Sequence, residues 1–434
     1  MARRAGGDLV LFEKGKPRSE STRRLLTRRI AVQLAAGQDA TAIARAVGAE
    51  SANPAPFAPN WYIFQSAAEP GSALEVTQKL KRQAGVVSVE PMLARQQTKR
   101  LIPSDPFFGN QWHLLNAGQV GGPSGIDINV TSVWNTYRGD GMNIGIVDDG
   151  LEHTHPDLAP NYQASLSYDF NYDSPDPQPA AFDGDDHGTA CAGLAAAAGN
   201  NGIGVTGVAF NAGLAGIRLI ALPDTDEQEA EAFALHDDII AVKSNSWGPA
   251  DDGKTLAGPG PLAIAGFENA VQTGRNGRGT IFTWAGGNGA LNGDASTFDG
   301  YASSREVIAV GAITNSGVNS PYSEPGTNLI CVAPSSGGRK DLAITTVDRA
   351  GEDGYNFDGF ADLSDPDYTD TFGGTSAASP QAAGVIALML QANPNLGWRD
   401  VQEILLRSAR QIDLGNDNGV SEGWITNSAG FHFN

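Results

Sequence analysis

From residue 142 onward, short continuous apolar runs alternate with helix-forming segments, and no other feature limits the fold as much. The runs are MNIGIV (142–147), AGIRLI (215–220), AVKSNS (241–246), TIFTWAG (280–286) and EVIAVGAI (306–313). They lack the in–out alternation of a strand with one wet face, so both faces must be covered. Such strands with helices between them give an α/β fold, a parallel sheet with helices on both faces. One helix is expected after His187, an Ala-rich buried one over 376–391 and an amphipathic one over 398–408.

Residues 1–100 read differently. RIAVQL (29–34), NWYIFQS (60–66) and VVSVE (86–90) read as strands, and 39–48 and 71–84 as helices, with Asp39 near the first N-cap. That order suits a small ferredoxin-like α+β domain. The stretch closes on Gln96-Gln97-Thr98-Lys99-Arg100, and Pro103, Asp105 and Pro106 mark a linker. Two domains follow, 1–100 and 101–434. Their charges oppose each other: 16 Lys+Arg against 8 Asp+Glu in the first, 13 against 41 in the second. A basic leader on an acidic body reads as two segments with different jobs.

The overall balance of −20 disfavours nucleic acid as a partner. No apolar run reaches the ~18 residues of a transmembrane segment. Two Cys exclude a disulfide framework and a Cys-rich zinc fold. The opening MARRAGGDLVLFEKGK lacks the apolar run of ~7–15 residues that marks a secretory signal. The compartment stays open.

Three motifs carry chemistry. IVDDG (146–150) puts Asp148 and Asp149 at a strand end, DHGTACAG (186–193) puts His187 at a helix start, and GGTSAASP (373–380) puts Ser376 at another. Each alone reads as a turn or a helix cap. Sites in α/β sheets gather at the carboxyl ends of strands and at helix N-termini, so the three can meet at one sheet edge. A Ser hydroxyl is a weak nucleophile and needs a base. His187 can serve as that base, and Asp148 can hold its tautomer and stabilise the imidazolium. Amide groups at the start of a helix after Gly373 and Gly374 can face a developing oxyanion.

The chain resembles the subtilisin-like serine proteases, and within them the kexin/furin branch of calcium-dependent proprotein convertases. The resemblance runs from about Asp105 to Ile412. Its carriers include DPFFGNQWHL (105–114), IVDDGLEHTHPDL (146–158), DHGTACAG, NNGIGVTGVAFNA (200–212), SNSWGPADDGKT (244–255), WAGGNG (284–289), FDGY (298–301), YSEPGT (322–327) and GGTSAASPQAAGV (373–385). The doubled Asp, the Cys of HGTACAG and the SWGPADDGKT run separate this branch from ordinary subtilisins.

The resemblance implies further roles. Asn288 would be the oxyanion-hole side chain. Ser246, Trp247 and Gly248 would form the edge segment that pairs with an extended polypeptide substrate. Asp251 and Asp299 would line the pocket for the residue before the cut, Asp149 the next pocket, and Glu229 a more distant basic pocket. Furin has a second acid for that distant pocket after the GKT run, where this chain has Ala257. A demand for Arg at the fourth residue upstream is therefore expected to be weaker. For Ca2+ the resemblance implies Asp105, Asp157 and Asn201 with carbonyls near Ala198 and Ile203 as one site. Asp251, Asp294 and Glu324 make another, and the acids around Asp169, Asp173 and Asp176 a less complete third. Cys191 would stay unpaired near the site. Cys331, in LICVAP, reads as a core residue.

The implied function is a calcium-dependent serine endopeptidase cutting after Lys-Arg or Arg-Arg. Residues 1–100 would be its inhibitory prodomain, released by autocleavage between Arg100 and Leu101. Relatives are secreted or periplasmic, and kexins continue into a β-rich P domain, so the catalytic domain is expected to be cut short at Asn434. Two other readings stay open: a subtilase of broader degradative specificity, and a non-catalytic fold used for binding or inhibition. The intact Asp148, His187, Ser376 and Asn288 set speaks against the second.

Overall fold

The computed structural model describes residues 3–5, 8–12, 23–69, 71–95, 101–119, 121–337, 342–357, 363–413, 425–426 and 432–433. Contacts divide the chain into two units, Met1–Lys99 and Arg100–Asn434. The Lys99-Arg100 pair lies outside the described residues. Leu101 is half-buried against the core of the second unit.

The first unit runs β1 (Arg3–Ala5), β2 (Asp8–Phe12), β3 (Arg23–Leu34), α1 (Ala40–Val47), β4 (Ser51–Pro54), β5 (Trp61–Gln65), α2 (Ser72–Leu80) and β6 (Val86–Ala94). The sheet is antiparallel, with β6, β3, β5 and β4 side by side and β2 extending β3 to β1. From β3 to β6 this is the split β-α-β arrangement. Helix α1 starts where expected, because Asp39 Oδ1 accepts from Thr41 N and Ala42 N at 2.9 and 3.0 Å. It stops at Gly48, whose φ of +76° suits the left-handed C-cap. Ile30, Val32, Phe64 and Leu80 are buried in its core. Strand β4 was not expected, since SANP is polar and ends in Pro. It is held by its ladder to β5, an edge position where Pro is tolerated, and by Ala52 against the core.

The second unit is built on seven parallel strands. They are β7 (Asn143–Asp148), β8 (Tyr168–Asp169), β9 (Gly213–Arg218), β10 (Val242–Asn245), β11 (Ile281–Ala285), β12 (Val307–Ile313) and β13 (Leu329–Pro334), in the order β13-β12-β11-β10-β7-β9-β8. Every residue of β9, β10, β11 and β12 is buried, as continuous apolar strands require. On one face, α3 (His187–Ala196) and α6 (Gly374–Ala392) cover Ile281, Ile308 and Val310. On the other, α4 (Asp226–Ala234) and α5 (Pro261–Gly277) cover Phe282, Trp284 and Ala309. A β14–β15 ribbon (Ile344–Val347, Tyr368–Phe372) packs by α3, and α7 (Trp398–Ser408) by β13. Helix α6 is buried along its length through Ala377, Ala378, Ala383 and Ala387, and starts two residues before the expected Ser376. Gly374, at φ +72°, makes that start possible.

Candidate active site

The carboxyl ends of β7, β10 and β11 share one sheet edge, and α3 and α6 begin there. This places Asp148, at the end of β7, beside His187, the first residue of α3. Asp148 Oδ1 lies 2.8 Å from His187 Nδ1. A carboxylate only accepts, so Nδ1 carries the proton and Nε2 is left with the lone pair in the neutral ring. Asp148 is 1% exposed. Burial works against a charged His187, but the neighbouring Asp148 and then Cys191 outweigh it and hold the imidazolium well above 6.5.

Ser376 is the third residue of α6. Its Oγ donates to Ser246 O at 3.3 Å, and Ser246 Oγ donates to Ser376 O at 3.2 Å. Among the described residues its hydroxyl makes no hydrogen bond to His187. Catalytic hydrogen bonds are often long or misaligned without substrate. Cys191 bridges the two, with Sγ 3.9 Å from His187 Nδ1 and 3.6 Å from Ser376 O. It is buried and unpaired, and Cys331, also unpaired, is half-buried against the core. Asn288, after β11, is oriented by its carbonyl. Oδ1 accepts from Thr375 N at 2.7 Å and Thr375 Oγ1 at 3.1 Å, so Nδ2 is the end left to donate. Trp247, after β10, is pinned by Nε1 to Val147 O at 2.9 Å, and its own carbonyl accepts from Trp284 Nε1.

Asp149, expected in a substrate pocket, has its carboxylate on α3. Its Oδ2 accepts from His187 N at 3.1 Å and its Oδ1 from Gly188 N at 2.7 Å, so it caps α3. Burial and then the adjacent Asp148 push it up to about 7. Asp299 accepts from Tyr301 N at 2.7 Å and is pushed by burial to about 6. Its Oδ2 packs so close to Gly248 that a Cβ there would sit 2.8 Å away. Glu229 accepts from Tyr301 Oη at 2.8 Å.

The three acid sets differ. One oxygen each of Asp251, Asp294 and Glu324 lies within 4.8 Å of the others. They line a cavity of about 10 Å³, room for one water or ion, together with Asp299. Burial, then Asp251 and Asp294, push Glu324 up to about 7. Gly287, at φ +97°, passes so near that a Cβ would meet the Glu324 carboxylate at 2.4–2.5 Å. A crowded oxygen set in a glycine-lined cradle, with Asp294 and Glu324 buried and Asp251 at the rim, fits a hard divalent cation. Asp105, Asp157 and Asn201 also converge. Asp105 accepts from Asn200, Asn201 and Gly202 amides at 2.6–3.0 Å, and Asp157 from Asn201 Nδ2 and Val205 N at 2.8 and 2.9 Å. Loop amides also sit on the oxygens of the first set, from Asn288 on Asp251, from Gly253 and Ala295 on Asp294, and from Gly289 on Glu324.

The acids near Asp169 do not converge. Asp169 pairs with Arg218 at 3.4 Å, Asp173 with Tyr168, and Asp176 with His153 at 3.0 Å. Sequence reading missed Arg218, which is buried, donates to Asp149 O at 2.7 Å and also pairs with Asp183 and Asp185. Its signal was a charged residue inside the apolar run AGIRLI, which burial forces to find acids.

Among the described residues no helix is long and apolar enough to cross a membrane. The chain is 44% identical over 339 residues to a PC3-like endoprotease variant B of Hydra vulgaris, covering 77% of this chain and 45% of that protein. It is 39% identical over 406 residues to proprotein convertase subtilisin/kexin type 7 of Homo sapiens, covering 91% and 49%. Furin of Homo sapiens matches at 38% over 358 residues, covering 81% and 42%. The chain thus spans less than half the length of these relatives, which belong to the branch its motifs resemble. A crystal structure of a serine protease of Aeromonas sobria superposes with a TM-score of 0.69 at 29% identity, covering 78% of this chain and 66% of that one. The model of the subtilase family matches residues 139–428, which hold the Asp148–His187 pair, Asn288 and Ser376. By its sheet, by the edge where those residues meet and by that match, the chain belongs to the subtilase family.

Proposed function

We propose that this chain is a serine endopeptidase that hydrolyses polypeptides after Lys-Arg or Arg-Arg and is made as an autoprocessed zymogen stiffened by Ca2+. The observation that carries the reading is the 2.8 Å Asp148–His187 pair, with Ser376 and Asn288 at the start of α6. In this mechanism the Ser376 hydroxyl turns from Ser246 O to His187 Nε2. It gives up its proton there as Oγ attacks the scissile carbonyl. Asn288 Nδ2 donates to the oxyanion that forms. The imidazolium, stabilised by Asp148, then protonates the leaving amine. Water, deprotonated by the same nitrogen, cleaves the acyl-enzyme and restores Ser376.

Asp251 and Asp299 would take the guanidinium or ammonium of the residue before the cut, and Asp149 that of its neighbour. Glu229 would meet a basic residue further upstream. Substrate main chain would lie along Ser246, Trp247 and Gly248. Asp251, Asp294 and Glu324 would hold one Ca2+, and Asp105, Asp157 and Asn201 a second. When bound, the ion supplies positive charge that ties loops together beside the pocket. The basic segment 1–100 would dock on the acidic remainder as the prodomain.

Expression with calcium, alongside Ser376→Ala, tests the reading. Intact mass should show a product starting at Leu101 in the wild type and none in the variant. A serine-reactive phosphonate should label the wild type alone. Cleavage of peptides regardless of basic residues would favour the broader degradative reading. No labelling would end the catalytic one.

A further inference from the structure

Arg218 closes β9 directly across the ladder from Asp148, yet the mechanism above gives it no part. It is 5% exposed. Its Nε donates to Asp149 O at 2.7 Å, just after Asp148 in the chain. Its Nη2 reaches the carboxylates of Asp183, at 3.4 Å, and of Asp185. Both acids lie in the segment 179–186, which leads into His187. Its Nη1 meets Asp169 Oδ2 at 3.4 Å, and the Tyr172 ring lies 5.2 Å from the guanidinium carbon. Burial works against the charge, but Asp185, Asp169 and Asp183 outweigh it and raise the guanidinium above its ordinary range. Arg349, also buried, holds the same segment from another side. Its Nη1 donates to Asp183 Oδ1 at 2.9 Å and to Ala180 O at 3.0 Å. Asp183 thus bridges two buried arginines. Desolvation offsets most of the attraction in such a network, so stability alone does not account for it.

We propose that Arg218 is a positioning residue that sets the approach of His187 to Asp148: one guanidinium grips the chain just behind the acid and the segment just ahead of the histidine. The inference rests on the endopeptidase reading above. The Asp149 carboxylate fixes where α3 begins, through the amides of His187 and Gly188. Those two bonds alone leave the helix free to pivot about its first turn. The second hold, on Asp183 and Asp185, removes that freedom. A planar fork with N–H donors in fixed directions can grip a carbonyl and several carboxylates at once, whereas an ammonium is a point charge on a flexible stem. A misplacement of about 1 Å at a reacting group can cost on the order of 10²-fold in rate, so the grip bears directly on turnover.

The test is Arg218→Lys in the full chain, autoprocessed with calcium and compared with wild type on a peptide cut after Lys-Arg. The exchange keeps the charge and loses the fork. The groups that face His187, namely Asp148, Asp149, Asp186 and Cys191, are untouched. Labelling to completion with a serine-reactive phosphonate counts the working sites, so a loss of folded protein does not enter the rates. For each labelled site kcat should fall by roughly 10- to 100-fold. KM should hold, because Arg218 lines neither the cavity at Asp251 nor the one beside Trp247. The inflection of kcat/KM should move to lower pH as Asp148 loosens its hold on the imidazolium. Asp185→Glu keeps both charges and the grip on Asp149 O, and should move both readouts the same way by less. It decides the question if Arg218→Lys does not fold. Wild-type kcat and inflection in the variant that folds, even with a lower melting temperature, overturn the inference and leave the endopeptidase reading standing. A wild type that takes no phosphonate and cuts no peptide removes the reading and the inference with it.

Discussion

Ser246 and Ser376 hold each other reciprocally, each hydroxyl donating to the other's main-chain carbonyl at 3.2 and 3.3 Å. One residue follows β10 and the other opens α6, so the clasp joins a strand end to a helix start. Ser246→Ala removes one of the two bonds and leaves the carbonyl that receives Ser376 Oγ. A loss of about 0.5–1.5 kcal/mol in stability is expected. Denaturant melts in a Ser376→Ala background, where autolysis cannot interfere, measure it. Unchanged melts would mean the clasp is not populated in solution.

The pH profile should report the Asp148–His187 pair. A general base works only when neutral, and His187 is held above 6.5 once the neighbouring charge overcomes burial. So kcat/KM should rise with pH through an inflection above 6.5. Asp148→Asn deletes the charge and leaves the burial. Its inflection should move to lower pH, and kcat should fall by a factor on the order of 10⁴. An inflection that stays in place would assign the titration to another group.

Calcium should act through the cradle at Gly287. An alanine there must adopt φ +97° and put its Cβ against the Glu324 carboxylate. Saturation of one site at about 100 times its Kd adds about 2.7 kcal/mol to the wild type. Gly287→Ala should lose most of that calcium-dependent rise in melting temperature, and Glu324→Gln likewise. A rise that survives both would move the ion to the set around Asp105.

Lys243 is a fourth point of attack. It is fully buried in β10, and its Nζ donates to Ala232 O and Phe233 O at 3.0 and 2.6 Å, near the end of α4. Lys243→Met fills the space but leaves two carbonyls without a donor. A loss of about 1–3 kcal/mol is expected. Because α4 also carries Glu229, cleavage of substrates with an upstream arginine should weaken more than cleavage of those without. A uniform fall in rate would limit Lys243 to stability.

The parallel strands were legible because burial on both faces leaves a continuous apolar run, as in VIAVGAI of β12. Helix α4 was not, because DEQEAEAFA has little apolar periodicity. It is set instead by the capping box of Thr225 and Gln228 and by packing on α5. Asp148, His187 and Ser376 were readable from motif chemistry. The cap that Asp149 makes was not, since it depends on α3 starting beside the end of β7 in space. Lys243 was equally hidden. A charged residue reads as solvated until the chain around it has folded.

The Asp149 carboxylate meets the first two amides of α3 with both oxygens. Under the proposed role of Asp149 in substrate choice, an exchange here that removed the carboxylate would also slacken the turn that presents His187. Drift in the two traits is thereby yoked. A lineage that altered its diet through residue 149 would first have to find another anchor for its histidine.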